Sequence, residues 1–119
     1  MRPLAESTAS LAALLAPPPM YVILTSKPGQ FRTEAGAGLR PVQAYDYLFF
    51  GRPKARFVIA ELTGELAGTR VRVIDESGHG AVNPVPVKFL ERFDSAEDAL
   101  HELGHLIRFG SMQTALVPV

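Results

Sequence analysis

The sequence predicts an α+β fold in which a mainly antiparallel, twisted sheet of about five to six strands packs on one C-terminal helix. Three observations lead there: a largely apolar run over residues 20–26, strict alternation of charged and apolar residues over 70–73, and one amphipathic stretch after Ser95. An SH3-like small barrel with an appended helix is the second architecture that this pattern accommodates.

Residues 1–19 are rich in Ala, Ser and Leu and close with Pro17, Pro18 and Pro19. Prolines lack a backbone donor and favour extended chain, so this stretch reads as a flexible extension and residues 20–119 as a single domain. Met20, directly before the first strand, is the expected natural start. Residues 20–26 contain Tyr21, Val22, Ile23 and Leu24, a run suited to a strand covered on both faces and hence to a central position. Lys27, Pro28 and Gly29 supply the turn that ends it. A Gly-rich loop over 35–39 leads into a strand at 44–50, and Gly51, Arg52, Pro53 and Lys54 turn the chain into a second strand at 55–62, forming a hairpin.

In Arg70-Val71-Arg72-Val73 the valines share one face and the arginines the other, as in a half-exposed antiparallel strand, with 55–62 as its expected partner. After a polar turn at 75–80, Val85-Pro86-Val87 is extended but carries proline, which assigns it to an edge, and residues 88–93 continue it. Asp94 or Ser95 caps a helix with Glu97 or Asp98 completing a capping box, and Gly110 stops it. Steps of about 100° per residue put Ala96, Ala99, Leu100, Leu103, Leu106 and Ile107 in one apolar stripe. Glu97, Asp98, His101, His105 and Arg108 fall on the other side. Residues 114–117 form a last short strand.

The 119 residues suffice for one core, and 47% hydrophobic with 20% charged residues is ordinary for a globular chain and far from disorder. Twelve basic and twelve acidic residues cancel, so the overall field favours neither nucleic acid nor an anionic membrane. Having no cysteine, the chain has no disulfide, thiolate ligand or cysteine nucleophile, which fits a cytoplasmic location. No apolar stretch approaches the roughly 20 residues of a membrane span.

His101-Glu102-Leu103-Gly104-His105 has the H-E-x-x-H spacing inside a predicted helix and in those five residues resembles the zincin metallopeptidases. The resemblance implies His101 and His105 as zinc ligands and Glu102 as the base that activates the metal-bound water. A catalytic zinc takes three protein ligands, and no Asp, Glu or His follows His105 in the sequence. The third would come from upstream, with His79 the first candidate and Asp75 and Glu76 beside it. Without such a ligand the two histidines belong to a solvated helix face, which is the expected reading, with no catalytic, metal or cofactor residues assigned.

Charge is uneven along the chain. Lys27, Arg32, Arg40, Arg52, Lys54 and Arg56 meet only Glu34 and Asp46, whereas acids dominate from Phe57 onward. The basic part interleaves Tyr45, Tyr47, Phe49 and Phe50 with Arg52, Lys54 and Arg56, a mixture enriched at protein interfaces. These seven residues are the candidate interaction site, with a protein partner or a second copy as the expected occupant. Gly36 and Gly38 lack the remaining residues of a phosphate loop, and Ser77 and Ser111 lack a nucleophile-elbow context. The expected role is a non-catalytic accessory or protein-interaction subunit of a larger cytoplasmic enzyme assembly. A zinc-dependent, metallopeptidase-like hydrolase is the alternative.

Overall fold

The structure is a computed structural model that describes residues 18–108 and 114–119. Its strands are β1 (Tyr21–Ser26), β2 (Phe31–Ala35), β3 (Leu39–Phe49), β4 (Arg52–Leu62), β5 (Arg70–Asp75), β6 (Val82–Pro86) and β7 (Thr114–Pro118). A 3₁₀ turn, Val87–Phe89, follows β6, and the helix α1 (Ala96–Arg108) precedes β7. The fold is α+β with two antiparallel sheets, one ordered β1-β4-β3-β7 and the other β2-β5-β6. They do not close into a barrel, so the SH3-like alternative is set aside.

The four-stranded sheet is the middle of three layers, and side-chain alternation in β1 and β4 divides it between two cores. Val22 and Leu24 of β1 join Ala60 of β4, Leu39, Val71 and Val87 in a core beneath the three-stranded sheet. Tyr21, Ile23 and Phe57 point the other way and surround Ile59, Ala99 and Leu103 beneath α1. Successive residues of a strand face opposite sides, so one apolar run serves both cores.

Coverage of both faces was expected for β1, but its position differs. It is an edge strand whose ladder partner is β4; beyond that ladder Phe93 exchanges backbone hydrogen bonds with Tyr21 at 2.8 Å in each direction, and Thr33 of β2 donates its N–H to Ser26 Oγ at 2.9 Å and its hydroxyl to the Thr25 carbonyl. Burial on both faces comes from layers above and below and does not require two strand neighbours.

The β3–β4 hairpin forms as expected, but its strands are longer. Only Phe50 and Gly51 make the turn, and Arg52, Pro53 and Lys54 belong to β4. The register skips Lys54 between Tyr47↔Ala55 and Leu48↔Pro53, a bulge that fits a proline into the strand. The expected pairing of β5 with β4 is corrected: β5 lies between β2 and β6 in the other sheet. Alternation assigns a strand its faces and leaves its neighbours open. Strand β2 was not expected and raises the count among the described residues to seven; β6, with Pro84 and Pro86, is an edge as expected.

Residues 35–39 are packed rather than loose. The Gly38 carbonyl accepts the N–H groups of Thr63 (2.8 Å) and Gly64 (3.1 Å), and a Cβ on Gly64 would lie 3.0 Å from the Gly38 Cα. At Gly36 a Cβ would lie 2.5 Å from the Arg70 carbonyl oxygen. Glycine here lets three backbone segments touch.

Ser95 caps α1, its Oγ accepting the Asp98 N–H at 3.0 Å. Ala99 and Leu103 are fully buried and Ala96 and Leu100 pack beside them, but Leu106, expected in the stripe, is 54% exposed. The helix contacts β1 and β4, and its last turn runs past the surface it covers. The expected stop at Gly110 lies outside the described residues. No helix among the described residues is long and apolar enough to cross a membrane.

Leu103→Ala should lower stability by about 2–5 kcal/mol, whereas Leu106→Ala should stay within about 0.5 kcal/mol of the parent, both read from urea unfolding. Gly36→Ala should cost about 1–3 kcal/mol, because the new methyl group meets backbone that can yield only by moving β5.

Candidate functional site

The two groups of residues singled out in the sequence occupy different parts of the molecule. Along β3 and β4 the register separates the interaction candidates by face. Tyr45, opposite Phe57, packs into the core under α1, and Tyr47 lies 6.5 Å from the Phe57 ring, centroid to centroid. Tyr45 also donates from its hydroxyl to Gln43 Oε1 at 3.0 Å. Arg56 is on the opposite face, where its Nε and Nη2 donate to Asp46 Oδ1 and Oδ2 at 2.8 and 3.2 Å. Tyr45 is therefore largely structural, and Arg56 already has a carboxylate partner.

The remaining four candidates gather at the hairpin tip. Phe49 and Phe50 meet edge to face with centroids 4.6 Å apart, and with Arg52 and Lys54 they line a shallow concavity. Phe50 is 63% exposed. Neither Arg52 nor Lys54 has a carboxylate partner among the described residues. The turn has φ of +51° at Phe50 and +74° at Gly51, the paired positive values of a type I′ turn. Asn-Gly is the favoured pair there, and a bulky non-glycine residue with positive φ is strained. This aromatic is held outward in a backbone conformation that its own side chain disfavours.

On α1 the rings of His101 and His105 stack edge to face at 4.6 Å, both exposed, as i and i+4 positions on one helix face allow. His79 follows β5, at the end of the three-stranded sheet, whereas α1 covers the opposite face of the four-stranded one. Asp75 accepts the Ser77 N–H and hydroxyl at 2.8 and 2.7 Å, which holds its carboxyl below the ordinary range. Glu76 pairs with Arg32 at 3.4 Å. Among the described residues no group of three His, Asp or Glu is placed to hold a metal ion.

Beyond the candidates, Arg40 pairs with Glu61 at 2.8 Å across β3 and β4. Hydrogen bonding by Arg40, reinforced by its charge, holds the Glu61 carboxyl low. The sequence offered no signal for this pair because its two residues meet only through strand register. No known family model, curated protein or solved structure matches the chain.

The Asp46 carboxyl is likewise held below its ordinary value, chiefly by the hydrogen bonds from Arg56. Its contribution to stability is present above the ordinary carboxylate range near about pH 4 and is lost as pH falls through the lowered folded value. Carbon-detected NMR titration should show a depressed Asp46 midpoint that returns toward ordinary in Arg56→Gln. Protein purified without chelator should carry no stoichiometric zinc by elemental analysis, with His101→Ala unchanged from the parent.

Proposed function

We propose that the protein is a non-catalytic accessory subunit of a larger cytoplasmic enzyme assembly and that the tip of the β3–β4 hairpin is its point of attachment. The observation that carries this reading is Phe50, an exposed phenylalanine at φ +51°. Such conformations cost about 1–3 kcal/mol and persist where surrounding structure enforces them. Among the described residues the ring meets Phe49 edge to face and stays 63% exposed, so burial offsets little of that cost. An aromatic pair flanked by Arg52 and Lys54 suits a protein surface with an apolar notch and an acidic rim. Aromatic anchors of this kind dominate binding energy when a partner buries them, while flanking cations steer encounter and register.

Phe50→Asn separates fold from function. Asn-Gly is the preferred type I′ pair, so the variant should gain about 0.5–1 kcal/mol in urea unfolding. In native extract of the source cell, the parent should elute at the mass of a complex, and Phe50→Asn combined with Arg52→Glu should return it to monomer. A parent that elutes as free monomer, or a double variant that stays in the complex, would overturn the proposal.

A further inference from the structure

On the face of the four-stranded sheet that meets the three-stranded one, β4 contributes Leu62, Ala60 and Val58 in turn to the core. The next residue on that face is Arg56. Its neighbours in register are Ser26 on β1 and Asp46 on β3, so an otherwise apolar face ends in a row of three polar residues. From the second sheet, Arg32 and Glu76 approach the same place as an ion pair. Together these five residues line a cleft of about 300 Å³ where the two sheets part, with Ala55 and the rigid rings of Pro28 and Pro53 completing its wall.

We propose that this cleft is a binding site for a small zwitterion of amino-acid size, carrying one carboxylate and one ammonium group. Its volume lies at the lower end of small-molecule sites. A guanidinium has five N–H donors, and Asp46 engages two of those on Arg56, fixing the plane while the others stay available. Arg32 reaches Glu76 through Nη1 at 3.4 Å and Glu34 through Nη2 only at 3.9 Å, which leaves it donors as well. The carboxylates of Asp46 and Glu76 likewise keep unused lone pairs. The ligand carboxylate accepts from the two guanidiniums, and its ammonium donates to the two carboxylates.

Charge balance selects the zwitterion. Two arginines face the two acids that line the cleft, with Glu34 3.9 Å from Arg32 at its margin, so a bare anion loses to the carboxylates what it gains from the guanidiniums, and a bare cation leaves both guanidiniums unmatched. Only a ligand bearing both charges is matched by all four groups. The cleft includes none of Phe50, Arg52 or Lys54, so this assignment stands apart from the proposed attachment point.

The test is a ¹⁵N–¹H NMR titration of the full chain with L-alanine, L-glutamine and L-leucine at constant ionic strength, beside sodium acetate and methylammonium chloride. At least one zwitterion should shift the amides of Ser26, Arg32, Asp46, Arg56 and Glu76 saturably in the millimolar range. Acetate and methylammonium should each bind about tenfold more weakly or worse, and Arg56→Gln should weaken the zwitterion by a similar factor. Should Arg56→Gln unfold, Glu76→Gln, on the exposed margin of the other sheet, should show the same loss. No saturable response to any of the three amino acids, equal binding of acetate, or unweakened binding by the folded variant would each overturn the proposal.

Discussion

Two cores share one sheet, and that sharing constrains everything else in the molecule. Because Val22 and Leu24 face one core while Tyr21 and Ile23 face the other, the first four residues of β1 are covered on both faces, and polar residues enter only at Thr25 and Ser26. A slip of one residue against β4 would exchange the two sets and place Tyr21 beside Val71. The register Val22↔Ala60, Ile23↔Ile59 is thus specified twice, once from each layer. The proposed sites lie where this double specification ends: Arg56 and Asp46 come one step beyond the core on one face, and Phe50 sits exposed at the hairpin turn.

Much of this was legible in the residues. The apolar run of β1 required cover on both faces, and the cap at Ser95 with the Ala99 and Leu103 stripe gave the helix and its buried side. Pro86 placed the segment on an edge. What escaped was partnership: Arg70-Val71-Arg72-Val73 shows which valines go inward but carries nothing about whether β4 or β2 lies alongside. Phe31-Arg32-Thr33-Glu34-Ala35 alternates charged with less polar residues much as Arg70-Val71-Arg72-Val73 does, so its pattern already carried the strand signal. Gly36 and Gly38 are ambiguous in sequence because glycine permits both freedom and close approach, and the facing Thr63, Gly64 and Arg70 backbones distinguish these.

The candidate site was legible as a composition and not as a geometry. Tyr45, Tyr47, Phe49, Phe50, Arg52, Lys54 and Arg56 are neighbours in sequence, yet the hairpin distributes them between two faces and a tip. The turn type mattered most, since a two-residue turn moves Arg52 and Lys54 into the strand and leaves Phe50 alone at the apex. The helix histidines show the opposite relation: their spacing is right for sharing a ligand, and the layer order sets His79 on the far side of the central sheet. A short motif fixes local geometry, but completing a metal centre depends on topology that five residues do not encode.

The pairing of β1 with β4 also has a consequence during synthesis. Tyr21 leaves the ribosome first but faces Glu61, 40 residues later. At roughly 5–20 residues per second, an apolar segment waits several seconds before the strand that will cover it exists. The β3–β4 hairpin closes locally in microseconds and has no such delay. Newborn chains therefore expose the β1 segment until β4 has emerged, and only the closing of the β3–β4 hairpin presents the edge along which β1 is taken up.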